Sequence, residues 1–378
     1  MLCLLYGFPT TSESGQAEAR YPAFFLCGSK HYLYSSEFGY TTVILLNHMQ
    51  QNIQFERIHW IDWMKFIGIY FIVYGHFFSY GNVYVYVFNV PLFFIVSGFL
   101  SKKEKGTLLF WKKLWYNLIV PMFIISFFVF LYDYRSYFII NSTSDLIYLF
   151  RLIKWYIFNA CIGMHNVLLT CWFIYTLIVI KIIYQYCGSN KTNIIFSILF
   201  LICTYLFNKY QLRSYLYSAS SIVNVFTAYP YFIVGIYLRS YKDVINNFNN
   251  KIHLLLLFSF SIAIVLLCGK FNEPVWMYIC GYGSNIIYFL VGGISGTAAV
   301  FSISKLLGSC PKYVITISTG TILILGFHWN IIGVMRLFFA DPSLWDFIFA
   351  AIIVCAFIPL INFFEYYFPF IIGKLRIK

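Results

Sequence analysis

Charge is what this sequence has least of. Asp, Glu, Lys and Arg make up 10% of its 378 residues, and the acidic share is the smaller, 13 against 26 basic. A soluble domain carries about 25% charged residues, so a soluble enzyme and a soluble binding module are both excluded. After Met49 there is no Pro-rich linker, low-complexity tract or internal repeat that would mark an appended module. The common frameworks of soluble catalysis are missing as well: no Walker loop, no Rossmann glycine fingerprint, no GxSxG elbow and no HExxH helix. The 10 cysteines are scattered, with Cys171, Cys203, Cys268 and Cys355 inside apolar stretches. None has metal-ligand spacing, so no metal and no bound cofactor is expected. Cys161 and Cys280 are the pair that could meet as a disulfide.

What is abundant is apolar bulk: 61% of the chain is hydrophobic and 22% aromatic, with 43 Phe and 33 Tyr. Backbone polar groups in a bilayer must be satisfied within the chain, and about 20 mostly apolar residues cross it as a helix. Ten such stretches lie near 60–79, 84–101, 114–132, 167–187, 193–208, 222–239, 252–268, 284–305, 314–334 and 346–371. The expected fold is therefore all-α: a polytopic membrane protein of about ten transmembrane helices. Residues 1–48 hold no span and are expected to carry no catalytic residue: either Met49 is the natural start, or they are a disordered or peripheral extension. Residues 49–378 form one membrane domain. The connection over 133–166 contains SDLIYLFRLIKWYIFNA, expected to lie as an interfacial helix with Tyr148, Trp155 and Tyr156 at headgroup level.

The net charge of +13 would point a soluble chain towards nucleic acid. Here the basic residues fall between spans, where they set topology instead. One alternate set of connections holds Lys102, Lys103, Lys105, Lys112, Lys113, Lys191, Arg239, Lys242, Lys251, Lys305, Lys312 and Lys374. The other set is sparser, with Arg135, Arg151, Lys154, Lys209, Arg213, Lys270 and Arg336 over longer loops. Both termini are accordingly placed in the cytoplasm, and no nucleic-acid partner is expected.

The first span carries Asp62, Lys65 and His76 at hydrocarbon depth, where an ionisable group costs a few kcal/mol. Eleven residues of α-helix make about three turns, so Lys65 and His76 share a face and stand about 16 Å apart along the axis. His76 reads either as a proton acceptor at neutral pH or as a structural histidine bonded to a neighbouring helix. Lys65 reads as a point charge for a phosphate or carboxylate, or as a partner for Asp62 one turn away. The lysine-rich loop with Lys112 and Lys113 is a landing surface for a polyanion, or ordinary topology signal. His328, in ILILGFHWNII, could contact an acceptor or another helix. Asn89 and Pro91 in FNVPLFF predict a helix kink lining a cavity, and Ser97 with Gly98 allow close helix approach.

With these residues in view, the chain from about residue 57 to its end resembles the integral-membrane acyltransferases of the acyltransferase-3 type, especially the fucose 4-O-acetylase-like branch. RIHWIDWMKFIGIYFIVYGH is similar to that family's first span, in which a basic residue precedes a histidine by eleven positions. FNVPLFFIVSGFL and FWKKLWYNLIVP resemble its second span and the basic stretch entering the third. CWFIYTLIVI, YFIVGIYLRS and ISTGTILILGFHWNI resemble later motifs. Lys65 stands where many members have arginine, and Tyr116 and Asn117 stand where a second basic residue often precedes the proline. The resemblance implies transfer of an acyl group, usually acetyl, from cytoplasmic acyl-CoA to a hydroxyl of an exported polysaccharide, a capsule glycan or a lipid-linked precursor. It implies a multi-pass protein of the cell membrane, in bacteria the inner membrane, working beside glycan-assembly proteins. His76 would be catalytic, Lys65, Lys112 and Lys113 would hold the donor, and Asp62, Asn89, Trp172 and His328 would support them. The rival reading is a membrane transporter that exports a glycan without chemistry.

Overall fold

Backbone amides at hydrocarbon depth can bond only to their own chain, and helices account for almost all the regular structure in this protein. The computed structural model describes residues 57–133, 146–187, 189–212, 220–339 and 342–374. The extension expected at 1–48, and Met49 with it, lie outside these residues, as do Arg135 and Arg213. The chain divides into two units between Arg57 and Ile58, and every helix among the described residues belongs to the second.

The helices, in chain order, are α1 His59–Gly75, α2 Asn82–Tyr86, α3 Asn89–Leu100, α4 Thr107–Leu114, α5 Val120–Asp133, α6 Leu146–Cys161, α7 His165–Leu168 and α8 Trp172–Tyr186. They continue as α9 Asn190–Lys209, α10 Val225–Arg239, α11 Lys242–Asn247, α12 Lys251–Phe271, α13 Ile286–Leu307, α14 Lys312–Thr319, α15 Thr321–Met335 and α16 Asp346–Tyr367. Among the described residues there is no strand, only an isolated bridge between Met164 and Ser220. The protein is an all-α polytopic membrane protein. Among the described residues, eight helical stretches are long and apolar enough to cross a bilayer, and a ninth exists if the bent pair α14 and α15 is one span. The first of the ten expected spans falls outside this count because α1 has 17 residues, about 25 Å of helix against about 30 Å of hydrocarbon.

Connections gather at two opposite ends. At the end where α1 starts, His59 Nδ1 accepts from Cys310 N at 3.3 Å, Lys181 Nζ donates to Ser101 Oγ at 2.7 Å, Arg239 to Phe99 O at 3.1 Å and Lys305 Nζ to Asn246 O at 2.8 Å. At the other end, Ser221 N bonds to Gly163 O at 2.6 Å, Asn224 Nδ2 to Tyr278 O at 3.0 Å and Arg336 to Phe77 O at 2.8 Å. The lysine-rich connections thus share one end. α1 is the hub, packed against α2, α3, α13, α14, α15 and α16. Trp60 fixes its start, edge-on to Phe99 at 5.3 Å and to Phe301 at 5.2 Å. The periphery looks different: α9 and α12 keep Ile195, Ile198, Leu256 and Phe260 exposed, as helices bathed in lipid do.

Several local expectations shift. The break near Pro91 lies at Val87–Phe88, between α2 and α3, and Pro91 sits in the first turn of α3, where its missing N–H costs no helical bond. Pro121 follows a π-helical turn, Trp115–Ile119; its ring cannot bond to the Asn117 carbonyl. Gly373, at φ +70°, packs there so tightly that a Cβ would stand 2.5 Å from Asn117 O. The interfacial stretch is helical as α6, and Trp155 is exposed. Tyr156 instead turns inward, with its hydroxyl donating to Phe123 O at 2.7 Å; a phenol that finds a buried carbonyl need not stay at headgroup level. The side chain of Tyr148 lies outside the described residues. Cys161 and Cys280 are both free, the first exposed and the second buried. Burial pushes the Cys280 thiol up to about 12, so it has little thiolate with which to form the disulfide considered above.

α3 and α10 cross in backbone contact. A Cβ on Gly98 would lie 2.0 Å from Phe232 O, and one on Gly235 would lie 2.0 Å from Ile95 O. Backbone cannot yield as a side-chain tip can, so Gly98→Val or Gly235→Val is expected to abolish accumulation of folded protein. Gly333→Ala, where a Cβ meets open space, should leave it unchanged. Size-exclusion profiles of the tagged protein in detergent check this; a normal profile for Gly98→Val would contradict the crossing.

Candidate active site

The face of α1 that carries Lys65 and His76 is turned inward. Asp62, Ile69, Ile72 and Val73 are buried along it, and Lys65 is partly so. The shared face expected from helix arithmetic is therefore present, with the two residues about 16 Å apart in depth. Asp62 is held from another helix: Ser318 Oγ, on α14, donates to Asp62 Oδ1 at 2.5 Å. Just beyond Ser318 the chain bends by 80° into α15. Gly320 makes the bend possible, since a Cβ there would stand 2.2 Å from the Ile361 side chain.

At the far end of α1 two histidines meet. The rings of His76 and His328 lie 4.8 Å apart between centroids, at 41°. His328 is 1% exposed, and its Nδ1 stands 2.8 Å from Ile324 O. A carbonyl only accepts, so the proton is on Nδ1 and the lone pair on Nε2. That Nε2 is buried without a partner, as is His76 Nδ1. Leaving a buried polar atom unsatisfied costs about 1–3 kcal/mol. Two such nitrogens on neighbouring rings match the chemistry of a hydroxyl, which can both donate and accept.

His76 caps α1 rather than lying in it, so its position depends on what holds the next turn. Arg336, which caps α15 eight residues after His328, donates to Phe77 O at 2.8 Å and to Asp346 Oδ2 at 2.9 Å. Its guanidinium also lies 4.9 Å from the centre of the Phe77 ring. Asp346 is fully buried at the start of α16 and accepts from Ser343 N at 3.0 Å as well. Phe78 takes φ +51°, a left-handed backbone that costs a bulky residue about 1–3 kcal/mol and survives only where neighbours impose it. Behind the turn, Gly75 O accepts from Asn82 Nδ2 at 2.8 Å and Tyr86 OH at 3.0 Å. Asn89, buried at the start of α3, stands so close that a Cβ on Gly75 would come within 3.3 Å of its Nδ2.

Of the residues singled out in the sequence, the fold therefore gathers His76, His328 and Asn89. Lys65 is lower on the same face, with Asp62. Lys112 and Lys113 sit on α4 at the lysine-rich end; Lys112 is exposed and Lys113 pairs with Glu104 at 2.8 Å. Trp172 begins α8, partly buried against the core. Two residues earlier, Thr170 Oγ1 donates to Gly326 O at 2.8 Å, tying that turn to the helix of His328. In the sequence Arg336 reads only as a topology charge, and Asp346 as an ordinary charge at the edge of a span. The available signal was an acidic residue opening an apolar helix ten positions after an arginine.

A family model described as an acyltransferase domain matches residues 58–363. No curated protein and no solved structure matches the chain.

Breaking a buried ion pair from one side leaves the other charge uncompensated, at a cost of about 3–5 kcal/mol. Arg336→Ala is accordingly expected to lower the melting temperature markedly, and adding Asp346→Ala should recover much of the loss. Thermal unfolding in detergent of the single and double variants checks it; additive losses would mean that the two side chains do not act as a pair.

Proposed function

The chain belongs to the acyltransferase-3 family of integral-membrane acyltransferases, and from that premise we propose that it moves an acetyl group from cytoplasmic acetyl-CoA to a hydroxyl of an exported or cell-surface carbohydrate. The observation that carries this reading is the His76–His328 pair at the end opposite the lysines. Lysine-rich connections face the cytoplasm by the positive-inside rule, so the histidine end faces outward in the cell membrane, where exported glycans are. The first-span and VPLFFIVSGFL motifs, which resemble the fucose 4-O-acetylase-like branch, support a sugar hydroxyl as the acceptor.

Lys112, Lys113 and, deeper, Lys65 attract the anionic CoA, each as a point charge rather than a bidentate clamp. The thioester reaches along α1 towards His76. The acceptor hydroxyl sits between the two imidazoles and gives up its proton to the pair, with His76 as general base and His328 held in one tautomer by Ile324. The hydroxyl oxygen bonds to the acetyl carbon, the carbon–sulfur bond breaks, and the proton leaves with the CoA thiolate as a thiol. The second route forms an acetyl-imidazole on His76 before the sugar attacks. Asn89 and Asp62 support α1 from either end, and Trp172 shapes the wall beside α15. No resident cofactor takes part; the partners are the donor, the glycan, the bilayer and glycan-assembly proteins.

The rival transporter reading has one feature in its favour, the broken α14–α15 span, since discontinuous helices line many transport sites. Labelled acetyl-CoA in proteoliposomes with an acceptor glycan separates the two. Wild type should transfer label, and His76→Ala and His328→Ala should each lose it by about 100-fold or more, the usual scale of general base catalysis. Transfer at the wild-type rate by properly inserted His76→Ala overturns the mechanism, and movement of glycan with no label transferred favours transport. Lys65→Ala should raise the donor KM by about tenfold, equivalent to about 1.4 kcal/mol, with the acceptor KM unmoved; an unchanged donor KM would make Lys65 structural.

A further inference from the structure

Beside the histidine pair stands a group of aromatic rings that the proposed proton transfer does not use. Trp329 follows His328 on α15, is 41% exposed, and meets His76 edge-on at 5.4 Å. Phe78 is 56% exposed and stands perpendicular to Trp329 at 6.0 Å, and 6.4 Å from both His76 and Tyr86. Its backbone is the left-handed one, and Arg336 anchors the carbonyl of the residue before it. Strained backbone at a bulky exposed residue points to a site when the surroundings over-determine it, and here a partly buried arginine, a buried aspartate and a serine turn do so.

From this we propose that Phe78 and Trp329 form the seat of the acceptor: a stacking platform for one pyranose ring of a neutral carbohydrate, placed so that a ring hydroxyl reaches His76 and His328. The inference rests on the acceptor reading given under Proposed function. The chemistry fits a sugar. One face of a pyranose is a patch of C–H groups with partial positive charge, and aromatic faces are negative. The edges of the same ring are hydroxyls, which match the two unpaired imidazole nitrogens and nothing apolar. The other duty open to exposed aromatic rings at this depth is anchoring in the headgroup layer. Such an anchor needs neither positive φ nor a perpendicular neighbour beside a buried histidine pair.

Saturation-transfer NMR on the detergent-solubilised protein tests the platform without donor or turnover, with methyl glycosides of glucose, galactose, rhamnose and fucose as probes. The expected result is saturation of the sugar ring protons in wild type, reduced at least fivefold in Phe78→Ala and in Trp329→Ala and retained in Phe78→Tyr. Gly333→Ala, where an added Cβ meets open space, should keep the wild-type signal. Absence of signal with every glycoside, or a signal that Phe78→Ala and Trp329→Ala leave intact, overturns the platform. So does a fall in melting temperature of Phe78→Ala with binding unchanged, which marks a lipid anchor. The outcomes separate from those of the acetyl-transfer assay: glycoside binding that depends on Phe78, in a protein that transfers no label, sinks the transferase reading and leaves the platform standing. Acetyl transfer with an acceptor KM indifferent to Phe78 and Trp329 does the reverse.

Discussion

An ionisable side chain at hydrocarbon depth has no water to fall back on, so whatever carries it must be surrounded by protein. α1 carries Asp62 and Lys65, ends at His76, and is walled by six other helices. Much of the architecture follows from that need. α14 supplies Ser318 to Asp62, α15 supplies the second histidine, and α16 supplies the buried aspartate that anchors the turn. α9 and α12, which hold no such group, lie outside with isoleucine, leucine and phenylalanine towards lipid. The fold is built inside out from one short polar helix, shielded by apolar ones.

Hydropathy made the spans legible, because the bilayer imposes length and composition on each helix independently of its neighbours. It also made the shared face of Lys65 and His76 legible, since their spacing is a property of one helix alone. The misses share the opposite character. The break at Val87–Phe88, the inward turn of Tyr156 and the 80° bend at Gly320 each depend on what packs against that segment. Asp62 shows the same dependence: beside whatever its own helix offers it, it accepts a hydrogen bond from Ser318, 256 residues along the chain. Nothing in a single sequence records a pairing over that distance. Arg336 was counted as topology, and its role depends on Phe77 and Asp346 being brought to it.

The two ends of α1 are chemically unlike, and the difference suits a reaction whose substrates arrive from opposite sides. At one end the exposed Lys112 and the lysine-rich connections offer mobile, solvated charge, which attracts a polyanion but fixes little. At the other, polar groups are few, and the backbone of the turn is fixed by Arg336 and Asp346. Long-range attraction tolerates loose geometry, whereas proton transfer needs atoms held within hydrogen-bond reach. The protein places its looseness and its rigidity accordingly.

That rigidity is not supplied by α1. The helix stops at Gly75, so His76 lies past the last residue whose position the helical ladder dictates. Its place is set by a turn strained at Phe78 and by Arg336, which reaches that turn from the same helix that carries His328. One side chain thus registers both imidazoles against each other. The arginine is itself fixed by Asp346, whose burial is tolerable only because it is paired. Three helices therefore converge on two imidazole rings whose centres lie 4.8 Å apart, and a displacement of α16 would reach the histidines through Asp346 and Arg336 without touching either ring.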